Sequence, residues 1–181
     1  MSLSLPEHTI GICGAGQMGA ALAVSFRRAG YSTLVWLRDS QKLALARGTI
    51  AALDAWMMQH LGPACSASGD LKVTTDLSEI DSAATVVVDC IAEQLQLKVD
   101  LFCSLPQARD RQALFLTTTS GLSISKLGQQ SQTGPRLVGT HFWNPPHLMP
   151  LVEVISGSET AVSAVDEAMS LVQSIGKIAV R

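Results

Sequence analysis

Apolar residues in this chain gather in short continuous runs instead of alternating with polar ones, and turn-forming residues separate the runs. "HTIGIC" (His8–Cys13) and "STLVWL" (Ser32–Leu37) come first, then "LKVTT" (Leu71–Thr75), "ATVVVDCI" (Ala84–Ile91) and "ALFLTTT" (Ala113–Thr119). "RLVGTHF" (Arg136–Phe142) and "LVEVIS" (Leu151–Ser156) follow, and "GKIAVR" at the end holds a last short strand. Runs of this kind fit parallel strands covered on both faces. Helical periodicity fills the intervals Met18–Ala29, Gln41–Gln59, Gln94–Leu105 and Thr160–Ile175. The alternation predicts βαβ units in a doubly wound, mostly parallel α/β sheet with helices on both faces. No repeat, charged block or low-complexity linker interrupts it, so residues 1–181 read as a single domain, with "GPACSASG" (Gly62–Gly69) a surface loop.

Composition narrows the function classes. At 47% hydrophobic and 15% charged residues the chain has the profile of a well-buried globular protein. A formal charge of -2 gives no electrostatic reason to expect nucleic acid or an anionic membrane as partner. No apolar run is long enough to span a bilayer, and the N-terminus lacks the layout of a signal peptide. Cys13, Cys65, Cys90 and Cys103 form no CxxC pair and fall mostly in apolar segments. They read as buried reduced thiols of a cytoplasmic protein, with no metal site.

The first candidate chemistry lies in "IGICGAGQMGAALA". Gly14, Gly16 and Gly19 have GxGxxG spacing, directly after a strand and at the start of a helix, with Gln17 and Met18 inside the loop. Gly14 makes the tight turn, Gly16 admits a pyrophosphate to the backbone, and Gly19 lets helix and strand pack closely. The helix N-terminus offers N–H groups and positive dipole potential to that diphosphate. This predicts a Rossmann-like dinucleotide site. An acid at the end of the second strand would bind the adenosine ribose and select NAD. That position holds Leu37, followed by Arg38 and Asp39. Asp39 on the ribose would mean NAD, Arg38 would admit the 2′-phosphate of NADP, and both are otherwise solvated loop charges; the balance leans to NAD.

"RLVGTHFWNPPHLMPLVEV" (Arg136–Val154) sets a histidine and a carboxylate on two apolar segments joined by an Asn-Pro-Pro turn. Together with "GAGQMG", "AEQLQLKVDLF", "TTSGLSI" and "IGK", the stretch "GTHFWNPPHLMPLVEVISGSET" resembles the NAD-binding domain of the 3-hydroxyacyl-CoA dehydrogenase family over nearly the whole chain. The resemblance implies His141 as general base and Glu153 as its partner. It implies Asn144 and Ser120 as residues that hold the substrate and position the histidine. Glu93 and Lys98 match positions lining the nicotinamide side of the cofactor. It implies hydride transfer between NAD and an (S)-3-hydroxyacyl-CoA in fatty acid metabolism. It also implies a helical C-terminal domain beyond Arg181 that completes the cleft and forms a homodimer; without it, this chain is expected to be weak or inactive alone.

The chemistry asks for these residue types independently. Oxidising a secondary alcohol removes the hydroxyl proton as hydride leaves the same carbon, and histidine accepts that proton near neutral pH. A neighbouring carboxylate fixes the tautomer and stabilises imidazolium. Blander readings stand beside these: a core histidine, a solvent-facing Glu153, turn or cap roles for Ser120 and Asn144, and helix-start charges for Glu93 and Lys98. His8, His60 and His147 read as surface or turn residues.

Three positions depart from the family pattern. Thr118 replaces an asparagine, Gly121 a serine and Leu37 the acid. They bear on cofactor preference and on acyl-CoA as substrate. Relatives of the same fold oxidise carnitine or sugar acids with the same His–Glu pair. The hydroxyisobutyrate and phosphogluconate dehydrogenases share the GxGxMG loop, and Arg38 resembles their NADP-binding turn, but their catalytic-lysine segment is not found here. A catalytically silent dinucleotide-binding module is the reading from another class.

Overall fold

The computed structural model describes residues 8–63 and 68–181. The strands are β1 (Thr9–Cys13), β2 (Ser32–Trp36), β3 (Leu71–Thr74), β4 (Val86–Asp89), β5 (Leu114–Thr117), β6 (Leu137–Phe142), β7 (Leu151–Ser156) and β8 (Ile178–Val180). They form one sheet in the order β3-β2-β1-β4-β5-β6-β7-β8. Every neighbouring pair is parallel except β6 and β7. The helices are α1 (Gln17–Arg28), α2 (Leu43–Leu61), α3 (Leu77–Ala83), α4 (Leu95–Cys103), α5 (Pro106–Asp110), α6 (Ile124–Ser131) and α7 (Val162–Ser174). This is the Rossmann-like, doubly wound architecture that the alternating pattern predicts.

The continuous runs are explained by a core on each side of the sheet. Ile10 and Ile12 of β1 and Val86 and Val88 of β4 pack with Leu22 and Phe26 of α1 and with Val165 and Val172 of α7. Cys13 and Val87, one position out of phase, point the other way and join Ile80, Phe102, Leu105 and Leu127. Both side-chain directions of a strand are thus apolar. Gly11 of β1 shows how close the second layer comes: a Cβ there would lie 2.7 Å from Ile80 Cγ2 and 2.8 Å from Ala84 Cβ.

Several expectations need adjustment. Helix α2 starts at Leu43, not Gln41, because Asp39 accepts a hydrogen bond from the Gln41 N–H and closes a 3₁₀ turn over Ser40–Lys42. Helices α3, α5 and α6 were not expected from periodicity, since at seven, five and eight residues none shows much more than two turns of it. Their signals are local: Asp76 caps α3 through Ser78 N–H, Ser123 caps α6 through Lys126 N–H, and Pro106 opens α5. Cys13, Cys90 and Cys103 are free thiols, but Cys103 at the end of α4 is exposed, against the expected burial. Burial, and then the nearby Asp89 carboxylate, raise the pKa of Cys13 and Cys90 and keep both protonated. Cys65 and the middle of the Gly62–Gly69 loop lie outside the described residues. Among the described residues no helix is long and apolar enough to cross a membrane, and no three His, Cys, Asp or Glu residues are grouped as metal ligands.

Candidate active site

The carboxyl ends of β1, β2 and β4 come together around the glycine loop. Gly14 N–H donates to Trp36 O at 2.8 Å, and Cys90 N–H donates to Cys13 O at 2.8 Å. Each glycine has a distinct constraint. Gly14 has φ +112°, and a Cβ there would stand 2.6 Å from Cys90 O. At Gly19 a Cβ would reach within 1.8 Å of Gly14 O, so any side chain would push α1 off the loop. At Gly16 nothing lies within 4 Å. Its hydrogen atoms face open space, where a side chain would occupy the room a diphosphate needs. No side chain caps α1 and no acid sits in its first turn, so its N-terminal dipole is left for an anion. Gln17 is exposed at this end and Met18 is half-buried against the core.

Two cavities flank the loop, and Gly14, Gly16 and Gln17 open onto them. A slot of about 420 Å³ is lined by Gly14, Trp36, Leu37, Leu77, Ile91 and Leu97, an apolar set suited to an adenine ring. A wider cleft of about 680 Å³ runs past Gly16, Gln17, Ala20, Asp39, Lys42 and His147. Arg38 lines both. A nicotinamide dinucleotide therefore fits: an apolar base pocket, a side-chain-free diphosphate crossing and an uncapped helix end follow one another. Leu37, where an acid was looked for, is 8% exposed and belongs to the core.

Further along the same edge of the sheet, β6 and β7 bring the second set of residues together. His141 and Glu153 are directly opposite in the antiparallel register. Such partners project on the same face with Cβ atoms roughly 5 Å apart, close enough for an imidazole and a carboxylate to meet. His141 Nδ1 is 2.6 Å from Glu153 Oε2, which leaves Nε2 as the free ring nitrogen. The hydrogen bond to His141 holds the Glu153 carboxyl below the usual carboxylate range; desolvation opposes this, and the imidazole charge and the Trp143 indole N–H add to the lowering. The side chains of His141 and Glu153 are 28% and 45% exposed. Asn144 is exposed in the turn that follows, joined to Pro145 by a cis peptide bond. The turn is closed by Leu148 and Met149 N–H groups donating to Pro145 O, both at 3.0 Å.

Ser120 lies in the loop after β5, and Glu93 holds that loop. Glu93 Oε1 accepts from Thr119 Oγ1 at 2.5 Å, Ser120 N–H at 2.9 Å and Gly121 N–H at 3.3 Å. Burial pushes the Glu93 carboxyl upward, but these hydrogen bonds and Lys98 outweigh it and the net shift is downward. Lys98, expected along the cofactor, is only 1% exposed. Its ammonium is taken by Asp89 Oδ2 at 2.7 Å and Ile91 O at 3.4 Å, with Glu93 Oε2 at 3.6 Å. Lys98 is thus one half of a buried ion pair that also stands beside Glu93, the residue that holds the Ser120 loop.

The sequence reading missed Asp89. It is fully buried and also accepts from Thr117 Oγ1 at 2.8 Å and Ile91 N–H at 3.0 Å. Its signal was a lone carboxylate at the end of the otherwise apolar run "ATVVVDCI". His147 also differs from the expected surface role. It is half-buried, edge-on to Trp56 at 5.5 Å between ring centroids, and its Nδ1 has no hydrogen-bond partner among the described residues. Burial, then the Lys177 charge, lower its pKa. His8 and His60 keep peripheral roles, on Thr85 Oγ1 and Trp56 O respectively.

Comparison with known proteins places this geometry. The chain is 34% identical over 172 residues to L-carnitine dehydrogenase of Nocardiopsis dassonvillei, covering 94% of this chain and 52% of that protein. It is 32% identical over 177 residues to 3-hydroxyadipyl-CoA dehydrogenase of Escherichia coli, covering 96% of this chain and 37% of that one. Among solved structures, 5-formyl-3-hydroxy-2-methylpyridine 4-carboxylic acid 5-dehydrogenase, an NAD+-dependent dismutase, superposes with a TM-score of 0.89 at 29% identity, over 96% of this chain and 56% of that one. The chain thus spans about half the length of these relatives or less. The family model for the 3-hydroxyacyl-CoA dehydrogenase NAD binding domain matches residues 9–181, and the chain belongs to that family.

Proposed function

We propose that this domain serves a dehydrogenase that moves hydride between a nicotinamide dinucleotide and a 3-hydroxy substrate, in the first place an (S)-3-hydroxyacyl-CoA. The observation that carries this reading is the direct cross-strand opposition of His141 and Glu153, at the same sheet edge as the dinucleotide loop. In open α/β sheets ligands sit at that carboxyl edge. When bound, NAD+ supplies the hydride acceptor. His141 Nε2 takes the hydroxyl proton as the C–H bond breaks, and the ketone forms as imidazolium appears. Glu153 holds the proton on Nδ1 and stabilises that cation. Ser120 and Asn144 donate hydrogen bonds to the substrate oxygen, which gains charge when the reaction runs in reverse. Glu93 sets the Ser120 backbone and hydroxyl for this task.

A second substrate class has a specific observation behind it: the 34% identity to an L-carnitine dehydrogenase over 94% of the chain. A 3-hydroxy acid without CoA would use the same base and partner. An assay of NAD+ reduction with (S)-3-hydroxybutyryl-CoA and with L-carnitine, on a protein that includes whatever sequence its gene carries after Arg181, separates the two. Reduction with the CoA ester, lost in His141→Gln, supports the first reading, and turnover of carnitine alone replaces it with the second. Full activity without the imidazole would overturn both.

A further inference from the structure

We propose that the cavity between the C-terminal ends of α1, α2 and α7 and the turn of residues 144–150 binds a carboxylate on a short aliphatic chain. This goes beyond the proposed reaction and does not depend on the cofactor reading. The cavity holds about 550 Å³, within the range of small-molecule sites. Arg28, His147 and Lys177 bring nitrogen groups to it, and Met57, Leu61 and Leu148 add apolar surface. No carboxylate among the described residues lines it.

Each nitrogen group is held in place and keeps donor capacity. Arg28 ends α1 with its side chain only 10% exposed, and its Nη2 donates to Gly62 O at 2.5 Å, tying α1 to the end of α2. Its Nη1 is buried and has no hydrogen-bond partner among the described residues. The carboxylate in ion-pair range is Asp54, with Oδ1 at 3.8 Å, and Arg27 takes its other oxygen at 2.5 Å. His147 Nδ1 is the second buried nitrogen without a partner among the described residues. Lys177 donates to Met149 O at 3.0 Å and makes no ion pair among the described residues. Burial lowers its pKa, the mark of an ammonium short of water and counter-charge. Arg28 is partly compensated by Asp54 and Lys177 is not, so the surplus is close to a single positive charge. That surplus matches a monoanionic carboxylate, whose lone pairs can accept from several donors at once. Buried donors are paired in folded proteins, and a carboxylate here would pair two that the chain itself does not.

Calorimetric titration of the purified protein with hexanoate, acetate, phosphate and hexan-1-ol, at constant ionic strength, tests the site without any turnover. Hexanoate should bind saturably and about tenfold or more tighter than acetate, since each buried methylene is commonly worth about fourfold. It should exceed hexan-1-ol, which has the chain without the charge, by about tenfold as well. Lys177→Met should weaken hexanoate about tenfold and His147→Phe about threefold, with thermal melts showing that both variants fold. Saturation with NADH should leave the affinity for hexanoate within a few-fold. Absence of hexanoate binding, or binding of hexan-1-ol as tight as that of hexanoate, overturns the carboxylate site. So does phosphate that binds more tightly than hexanoate, or hexanoate affinity unchanged in both variants. Displacement of hexanoate by NADH would put the carboxylate in the cofactor cleft, and overturns the site while leaving the dinucleotide reading intact.

Discussion

At the scale of single residues, the His141–Glu153 hydrogen bond is the contact on which the proposed chemistry turns. Because Glu153 is depressed below the usual carboxylate range, its favourable contact with the ring is fully present above that range. It is lost as pH falls through the lowered value. Wild-type stability should therefore drop between about pH 5 and pH 3 by more than that of Glu153→Gln; thermal melts across that window measure the difference, and identical profiles would mean that the hydrogen bond is idle. In turnover, His141→Gln should cost about 10²–10⁴-fold in kcat, the usual contribution of a positioned acid–base group. Glu153→Gln should cost less, because the base stays in place. Both residues were legible in the sequence as polar positions on two apolar runs. Their direct opposition was not, because strand register is a property of the folded hairpin. The Asp89–Lys98 pair was hidden for a related reason: nothing in "AEQLQLK" says that the ammonium meets Asp89, nine positions back on another element.

At the scale of elements, packing distances decide what can change. Helix α1 rests on the loop without any gap at Gly19, so Gly19→Ala must push the helix outward. Such overpacking typically costs about 1–3 kcal/mol, and it should also weaken NADH binding by displacing the uncapped helix end. Chemical denaturation with and without NADH reads both effects. The link from β4 to α4 depends on the buried Asp89–Lys98 pair. Asp89→Asn leaves an ammonium in the core with only Ile91 O and the more distant Glu93, and removing one partner of a buried pair costs about 3–5 kcal/mol. The low end is expected here, since Glu93 remains. Loss of less than about 1 kcal/mol in urea unfolding would show that Lys98 reaches solvent by another route. The long elements were readable from periodicity. Helices α3, α5 and α6 were not, because at five to eight residues their only marks are the caps Asp76 and Ser123 and the opening Pro106.

At the scale of the whole molecule, the order of the strands gathers one function at one edge. The ends of β1, β2 and β4 hold the dinucleotide cleft, β5 the Ser120 loop, and β6 with β7 the proposed base and its carboxylate. Trp36 lines the apolar slot, so saturable quenching of its emission by NADH is expected. As the chain has three tryptophans, Trp36→Phe should remove most of that change while leaving affinity within a few-fold. Quenching that persists undiminished would place the base elsewhere. The doubly wound topology was legible because both faces of its strands are apolar. The distribution of polar residues along the edge was not, since it depends on strand order.

The single antiparallel junction near the edge of the sheet has a further consequence for how the protein should fail. Glu153 sits on β7, and among the described residues the sheet outside β7 holds β8, a strand of three residues with Ile178 and Val180 exposed. Margins with so little cover open more readily than the centre of a sheet. In this chain the carboxylate is therefore carried near a margin of the sheet, one strand in from its end, whereas the dinucleotide loop is anchored in the middle. On mild heating or in low denaturant the domain should part with its proton chemistry first and keep its hold on cofactor. Backbone amides of β7 should exchange with deuterium ahead of those of β1 and β4. A sensitised margin of this kind would act as a fuse: catalytic competence would disappear while most of the molecule was still folded.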